Sequence, residues 1–425
     1  MKITPTLACL VLLAGALDAL AATDGAGAGK PLPPWSKGEL DIHHINTGRG
    51  DAVLFVLPDG TSLLSDASGK TVEKPPFSFP TRPDSTRPPG TWVARYVQRV
   101  LSSTALPEQA RRRIDYFIPS HFHGDHMGAI VADSSLAPHG AYRLSGITEV
   151  AEHLRVAKII DRGWPTYDYP APVTNMTMDN YRRFLDWQIA HNGLAVERFQ
   201  PGRNDQITLL HDARRYPGFE IRNVYANGTV WTGEDRKTRG LFPPMEELKV
   251  ADYPDENSLS IVFRVRYGRF DYFNGGDLSN HDAETTFDPP AWRNVETPVA
   301  QVTGPVDAMK ANHHGSWDAN SVGLLGNLRP RVIVVTSRAD GHPAINTWKR
   351  MTSTRVWPGE RDIFVTHVSP VTAATTYDIQ KTAKSTQGHV VIRVAPGGAS
   401  YRVFVLDDED ESMAIKAVFG PYTSN

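Results

Sequence analysis

Between Ile118 and Ile130 the chain reads IPSHFHGDHMGAI. His121, His123, Asp125 and His126 stand within six residues, after an apolar run and before a segment of small residues. Polar side chains that become buried must each find a partner or lose stability, and folding alone gives this crowding no reason. A metal ion is such a partner, because neutral imidazole and carboxylate are ligands for zinc, manganese and iron. His121 and His123 are two apart, so in an extended segment both point to one side, while Asp125 and His126 follow on the turn into a helix. Two ions side by side can be fed this way. Histidine is only 15 of 425 residues, so three in six positions beside an aspartate is not a chance surface loop.

Outward from this stretch, IDYFIPS (Ile114–Ser120) reads as a short buried strand. The cluster then sits on the loop leaving the C-terminal end of a strand, where α/β architectures place chemistry. Upstream, ELDIHHINTGRGDAVLFVLPDGTSLLSDAS (Glu39–Ser68) reads as a β-meander, with a Pro-Asp-Gly turn at Pro58–Gly60 and a last strand closing at Asp66. A Pro-rich excursion from Lys74 to Gly90 precedes a helical pattern from Trp92 to Leu101. Downstream, NSLSIVFRVRYGRFDYFNGGDLSN (Asn257–Asn280) predicts a hairpin ending in Gly275-Gly276-Asp277. PVDAMKANHHGSWDANS (Pro305–Ser321) ends a strand in His313-His314, and PRVIVVTSRADGHPAINTWKRM (Pro330–Met351) gives a strand, a loop with His342 and a helix. A final hairpin spans His389–Leu406. Two batches of strands with interspersed helices predict a layered α/β domain, without an internal repeat of fixed period. Residues 168–255, rich in Tyr, Pro, Arg and Asn, read as an irregular insertion shaping one side of a cleft.

The composition, 40% hydrophobic and 22% charged, suits a globular core, and the net charge of -2 supplies no global field to hold a polyanion. Stable nucleic-acid binding is therefore not expected from charge; ARRRID (Ala110–Asp115) and YRRF (Tyr181–Phe184) are the compact basic clusters. The N-terminus carries one Lys, an apolar run from Leu7 to Leu20 and an Ala19-Leu20-Ala21 site, which predicts a secretory signal peptide over residues 1–21. The run contains Asp18 and is too short to span a bilayer of roughly 30 Å. The expected location is periplasmic or secreted, with no membrane attachment after cleavage. Cys9 is the one cysteine and cleavage removes it, so any metal must rest on His, Asp, Glu or backbone oxygen. A flexible lead-in is expected over 22–38 and one domain over 39–410, with insertions near 72–92 and 168–255 and a C-terminal segment at 411–425.

HFHGDH resembles the H-x-H-x-D-H signature of the metallo-β-lactamase superfamily. INTGRGDAVLFVLPDGTSLLSDAS resembles the opening of the metallo-β-lactamase domain of ComEC competence proteins, and NSLSIVFRVRYGRFDYFNGGDLS, VDAMKANHHGS and TSRADGHP resemble three further motifs of that family. These motifs fall in order from Asn46 to Pro343. The resemblance implies an α/β fold, the metallo-β-lactamase αββα sandwich of two mixed sheets flanked by helices. It also implies a di-metal hydrolase, with zinc as the expected ion and manganese or iron as alternatives. In it His121 and His123 hold one ion, Asp125 and His126 hold a second, and Asp277 bridges both. His313 completes the second site, with His314 not separable from it by sequence. Asp66 orients a ligand imidazole or backbone from behind, and His342 faces the cleft as a substrate or transition-state contact. Read from the residues alone, Asp277 caps a turn, Asp66 is an Asx-turn residue and His342 starts a helix.

Two departures stand out. ComEC-type domains often carry Asp where this chain has His123. No histidine clearly supplies the third ligand that many members place between the first motif and the bridging Asp; Asp161 in KIIDRGWP is the best substitute, or else a turn residue before Gly163. Paired ions about 3.5–4 Å apart hold a hydroxide between them and acidify its parent water. Asp125 or Asp277 would then accept the proton. The expected substrate is a small-molecule or nucleic-acid phosphodiester. A lactone, ester or β-lactam is the alternative if Trp164–Tyr169 forms an apolar pocket, and a non-enzymatic binding module is the third reading.

Overall fold

The computed structural model describes residues 27–70, 78–281, 287–376 and 378–425. The expected signal peptide, residues 22–26 of the lead-in and residues 72–77 of the first insertion lie outside the described residues. In chain order the strands begin with β1 (Leu40–His44), β2 (Val53–Val56), β3 (Ser62–Ser65), β4 (Arg113–Ile118), β5 (Arg155–Asp161) and β6 (Ala195–Arg198). There follow β7 (Phe219–Ala226), β8 (Thr229–Trp231), β9 (Thr238–Gly240), β10 (Val262–Tyr267), β11 (Phe270–Asn274), β12 (Ala308–Lys310), β13 (Val332–Val335) and β14 (Asp362–Val365). The chain closes with β15 (His389–Val394), β16 (Ser400–Leu406) and β17 (Ile415–Thr423).

One sheet runs β17-β16-β15-β1-β2-β3-β4-β5-β6 and the other β14-β13-β12-β11-β10-β7-β8-β9. Both are mixed: β3 to β6 and β11 to β14 are parallel, and the remaining pairs are antiparallel. The VIVV run of β13 shows why these strands are apolar on every residue. Val332 and Val334 enter the core between the sheets, while Ile333 and Val335 enter the core under the outer helices. A strand buried on both faces has no polar side to alternate with. Phe55 anchors the inner core, with its ring 5.8 Å from Phe263 and 5.7 Å from Tyr272 across the sandwich.

Helices cover both outer faces. Pro89–Ser102 brings Val93, Val97 and Leu101 onto the first sheet, where Leu54 and Phe117 meet them. Glu296–Thr303, Val322–Leu328 and Ile345–Thr352 bring Val299, Leu324 and Trp348 onto Phe273 and Met309 of the second. Each such fully buried side chain contributes roughly 1.5–3 kcal/mol. This is the αββα sandwich implied by the resemblance. No helix among the described residues is long and apolar enough to cross a membrane.

Three expected boundaries change. Residues 168–255 are not an irregular insertion, because they supply the helix Met176–Asn192 and β6 to β9 of the two sheets. That helix starts on Asn175, whose side chain accepts Met178 N–H, and ends at Gly193 in the left-handed region. Its buried residues are Met178, Asn180, Tyr181, Phe184, Leu185 and Gln188, so an asparagine, a tyrosine and a glutamine stand in for aliphatics and blur the helical period. The edge strands β6 and β9 are part-exposed or exposed and carry no apolar alternation. Residues 411–425 hold β17, which pairs with β16 and belongs to the sheet. The lead-in is docked in its second half: Gly29 N–H donates to Ile415 O at 2.9 Å, Leu32 N–H to Met413 O at 3.0 Å, and Trp35 is buried. A sheet edge offers unpaired main-chain groups to any sequence that reaches it, so composition does not announce this docking.

Candidate metal centre

The candidate residues come from loops at the C-terminal ends of strands: Asp66 after β3, His121 to His126 after β4, Asp277 after β11, His313 and His314 after β12, and Thr336 to His342 after β13. The parallel runs in both sheets bring these ends to one edge of the sandwich. There His126 Nε2 lies 2.9 Å from Asp277 Oδ2, and His314 Nε2 lies 3.1 Å from the same oxygen. His314 Nε2 is also 3.1 Å from Asp125 Oδ2, which is 3.7 Å from His126 Nε2. One ligand atom from each of Asp125, His126, Asp277 and His314 thus lies within 4.8 Å of the others, and all four residues are buried. His126 Nε2 meets Asp277 Oδ2 as an ion pair without an aligned hydrogen bond, and Asp277 Oδ1 has none either, with Lys310 Nζ 3.8 Å away. Buried donors and acceptors left this way are costly, and two carboxylates with two imidazoles form a donor set that suits zinc, manganese or iron. The residues fit an ion.

A second layer orients this quartet. Asp66 accepts Ser120 N–H at Oδ1 (2.6 Å) and places Oδ2 3.0 Å from His126 Nδ1. His314 Nδ1 donates to the Thr336 carbonyl at 2.8 Å, which turns Nε2 toward the carboxylates. Asp51 accepts the Thr336 hydroxyl at 2.5 Å, lies 3.3 Å from His314 Nδ1 and pairs with Lys310 Nζ at 2.7 Å. Lys310, fully buried, also donates to the carbonyls of Gly276 and Ala311. Gly50 lets the Asp51 loop close on the ligand helix: a Cβ there would sit 2.0 Å from the Asp125 carbonyl oxygen. Arg338 Nε lies 2.7 Å from Asp125 Oδ2. Asp51, Lys310, Thr336 and Arg338 were not among the sequence candidates. They stand in the motif stretches GRGD, VDAMK and TSRADG, and the clearest signal is Lys310, a charged residue closing the fully buried strand β12.

Burial alone would keep His126 neutral, but Asp277, Asp66 and Asp125 outweigh it and push its pKa up to about 10. His314 is likewise held well above the usual range, with Asp277 and Asp51 overcoming burial. Burial pushes Asp277 up and the imidazoles of His126 and His314 more than reverse it, leaving the carboxyl well below its usual range. Asp125 is lowered too, by Arg338 and His126 against burial. The buried carboxylates are thus held ionised by the imidazoles and Arg338 around them.

The other candidates sit differently. His121 Nε2 faces His123 Nδ1 at 3.0 Å, with His121 buried and His123 exposed, and the His121 ring lies 4.2 Å from that of His126. This pair flanks the quartet. His313 and His314 both have left-handed backbone, φ 48° and 54°, a conformation that costs of order 1–3 kcal/mol outside glycine. That turn brings His314 Nε2 into the quartet and leaves His313 Nε2 at its rim. His313, expected to complete the second site, instead bonds Asp318 Oδ1 through Nδ1 at 2.8 Å and keeps Nε2 3.9 Å from Asp277 Oδ2. His342 stacks on His314, ring centroids 5.5 Å apart and 12° from parallel, with a buried Nδ1 that has no hydrogen-bond partner. Asp161 is not brought to the cluster. Its oxygens accept Gly163 N–H, Trp164 N–H and the hydroxyls of Tyr167 and Tyr181, as a turn residue would. Tyr167 is buried against Phe122, so this ring of the Trp164–Tyr169 stretch backs the histidine loop.

No family model and no curated protein matches the chain. Among solved structures it is similar to a CmlA β-hydroxylase mutant, at 14% identity and a TM-score of 0.38, over 90% of this chain and 60% of that one. The chain thus spans less than two thirds of that protein's length. It is also similar to the metallo-β-lactamase fold protein YhfI from Bacillus subtilis, at 12% identity and a TM-score of 0.35, over 77% of this chain and 96% of that one. A third is Zn(2+)-bound PqqB from Methylobacterium extorquens, at 10% identity and a TM-score of 0.34, over 70% and 88%. Likenesses at these scores carry no argument. The fold stands on the two mixed sheets and their flanking helices, and the site on a buried His/Asp quartet at the strand ends.

Proposed function

We propose that the chain is a metal-dependent hydrolase with a two-ion centre, zinc being the ion, that cleaves phosphodiesters outside the cytoplasm. One observation carries the reading: Asp125, His126, Asp277 and His314 converge within 4.8 Å in a buried site where His126 Nε2 and Asp277 Oδ1 lack hydrogen-bond partners. When bound, such ions polarise the scissile bond and acidify water. Asp277, which faces both inward imidazoles, would serve both ions, and His121 and His123 would hold a second ion beside the quartet. Asp125 is the proton acceptor, kept ionised by Arg338 beside it. Arg338 also supports an anionic substrate, and His342 presents its unpaired Nδ1 next to His314. The lactone and β-lactam alternative is the less favoured reading, because Tyr167, one of the rings it would use, is buried against Phe122.

The test is elemental analysis of zinc-supplemented protein together with hydrolysis of a phosphodiester, a lactone and a β-lactam. About two equivalents of zinc and chelator-sensitive cleavage of the phosphodiester alone are expected. Metal well below one equivalent would sink the proposal.

A further inference from the structure

The loop that carries His121 and His123 is gripped from behind by one short segment. Phe122 sits between the two histidines, and its N–H donates to Glu256 Oε1 at 2.7 Å. Ile261 N–H donates to the Ser120 carbonyl at 2.8 Å, so the backbone on either side of His121 is tied to the same stretch, Glu256 to Ile261. Asn257 reaches the other histidine loop, with Nδ2 3.3 Å from His313 Nε2.

Glu256 is itself locked in place. Arg162 Nε donates to Glu256 Oε1 at 2.8 Å while Nη2 pairs with Oε2. Arg162 Nη1 donates to the Tyr169 carbonyl at 3.2 Å and to Asn227 Oδ1 at 3.1 Å. The guanidinium is 1% exposed and lies 4.4 Å over the Phe122 ring. A buried guanidinium is tolerated only when its fork is filled in this way, and the planar, two-pronged contact fixes the carboxylate's direction as well as its charge. On Phe122's flank stand Tyr167 and Tyr181, the two rings that Asp161 holds. The quartet is oriented mainly by other groups, Asp66, Asp51, Lys310 and Arg338, of which Asp66 alone also holds the loop, through Ser120 N–H.

We infer that Glu256, locked by Arg162, is a positioning residue for the His121–His123 loop and sets the second ion's ligands separately from the quartet. Its consequence for metal rests on the two-ion reading above; the geometry does not. Two measurements on the full chain test it. Amide hydrogen exchange on metal-free Glu256→Gln is expected to rise roughly tenfold or more at Phe122 and across residues 121–123, because a hydrogen bond to a charged acceptor is weakened, while the Asp277 segment keeps its rate. Zinc titration is expected to leave the first equivalent unchanged and weaken the second by roughly 10–100-fold. Unchanged exchange, or equal weakening of both equivalents, overturns the inference. If Glu256→Gln fails to fold, Arg162→Lys, which keeps the charge and gives up the two-pronged contact, takes its place in both measurements. A wild-type chain that takes no second equivalent fails the two-ion reading, and the exchange measurement still decides the positioning role.

Discussion

Asp161 and Asp277 are both buried carboxylates at the C-terminal ends of strands, one closing β5 and the other three residues past β11. Sequence placed both in a metal site, and they have opposite surroundings. Asp161 has its oxygens filled by two backbone N–H groups and two tyrosine hydroxyls at 2.7–3.1 Å. Asp277 has Oδ2 against two imidazoles and Oδ1 without a hydrogen bond. Burial sets Asp161's pKa above its usual value because its partners are neutral, whereas for Asp277 the charged neighbours win over burial. A buried carboxylate becomes a ligand candidate through unfilled lone pairs and charged company, not through burial or position alone.

The strongest way to break this contrast is to neutralise the open member. Asp277→Asn removes the charge shared by His126 and His314, and phosphodiester cleavage should fall by about a thousandfold or more, with zinc content reduced in the same sample. Full zinc retention with unchanged turnover would place the centre elsewhere. Next comes the group behind the quartet. Asp66→Asn keeps the shape and one acceptor, so it acts through the orientation of His126 and should cost about 10–100-fold in zinc affinity or rate. An effect larger than that of Asp277→Asn, in folded protein, would reverse the assignment of the two. Smallest for chemistry is the closed member. Asp161→Asn leaves donors on Tyr167 and Tyr181 short of an acceptor and should lower folding stability by roughly 1–3 kcal/mol in a denaturant titration. Zinc content should stay at the wild-type value, and a lost equivalent would bring Asp161 back as a ligand.

Local pattern carried much of this protein. The doubly buried strands appear as unbroken apolar runs, the hairpins at Tyr267–Gly268 and His389–Leu406 as turn residues between them, and the crowding from His121 to His126 as polarity without a folding reason. Such features are set by neighbours within a few residues, and the sequence displays them directly. What it did not display depends on partners far along the chain. The helix Met176–Asn192 hides its period behind Tyr181 and Gln188, and β17 and the segment from Gly29 to Leu32 gain order only by meeting a sheet edge. His313 and His314 are adjacent and chemically identical, so only the left-handed turn of the folded loop sends one inward and the other to Asp318. Lys310 and Asp51 are 259 residues apart and meet at 2.7 Å, and Arg162 and Glu256 meet at 2.8 Å across 94 residues. Charge pairing of this kind is a property of distance in space, and tertiary structure alone decides it.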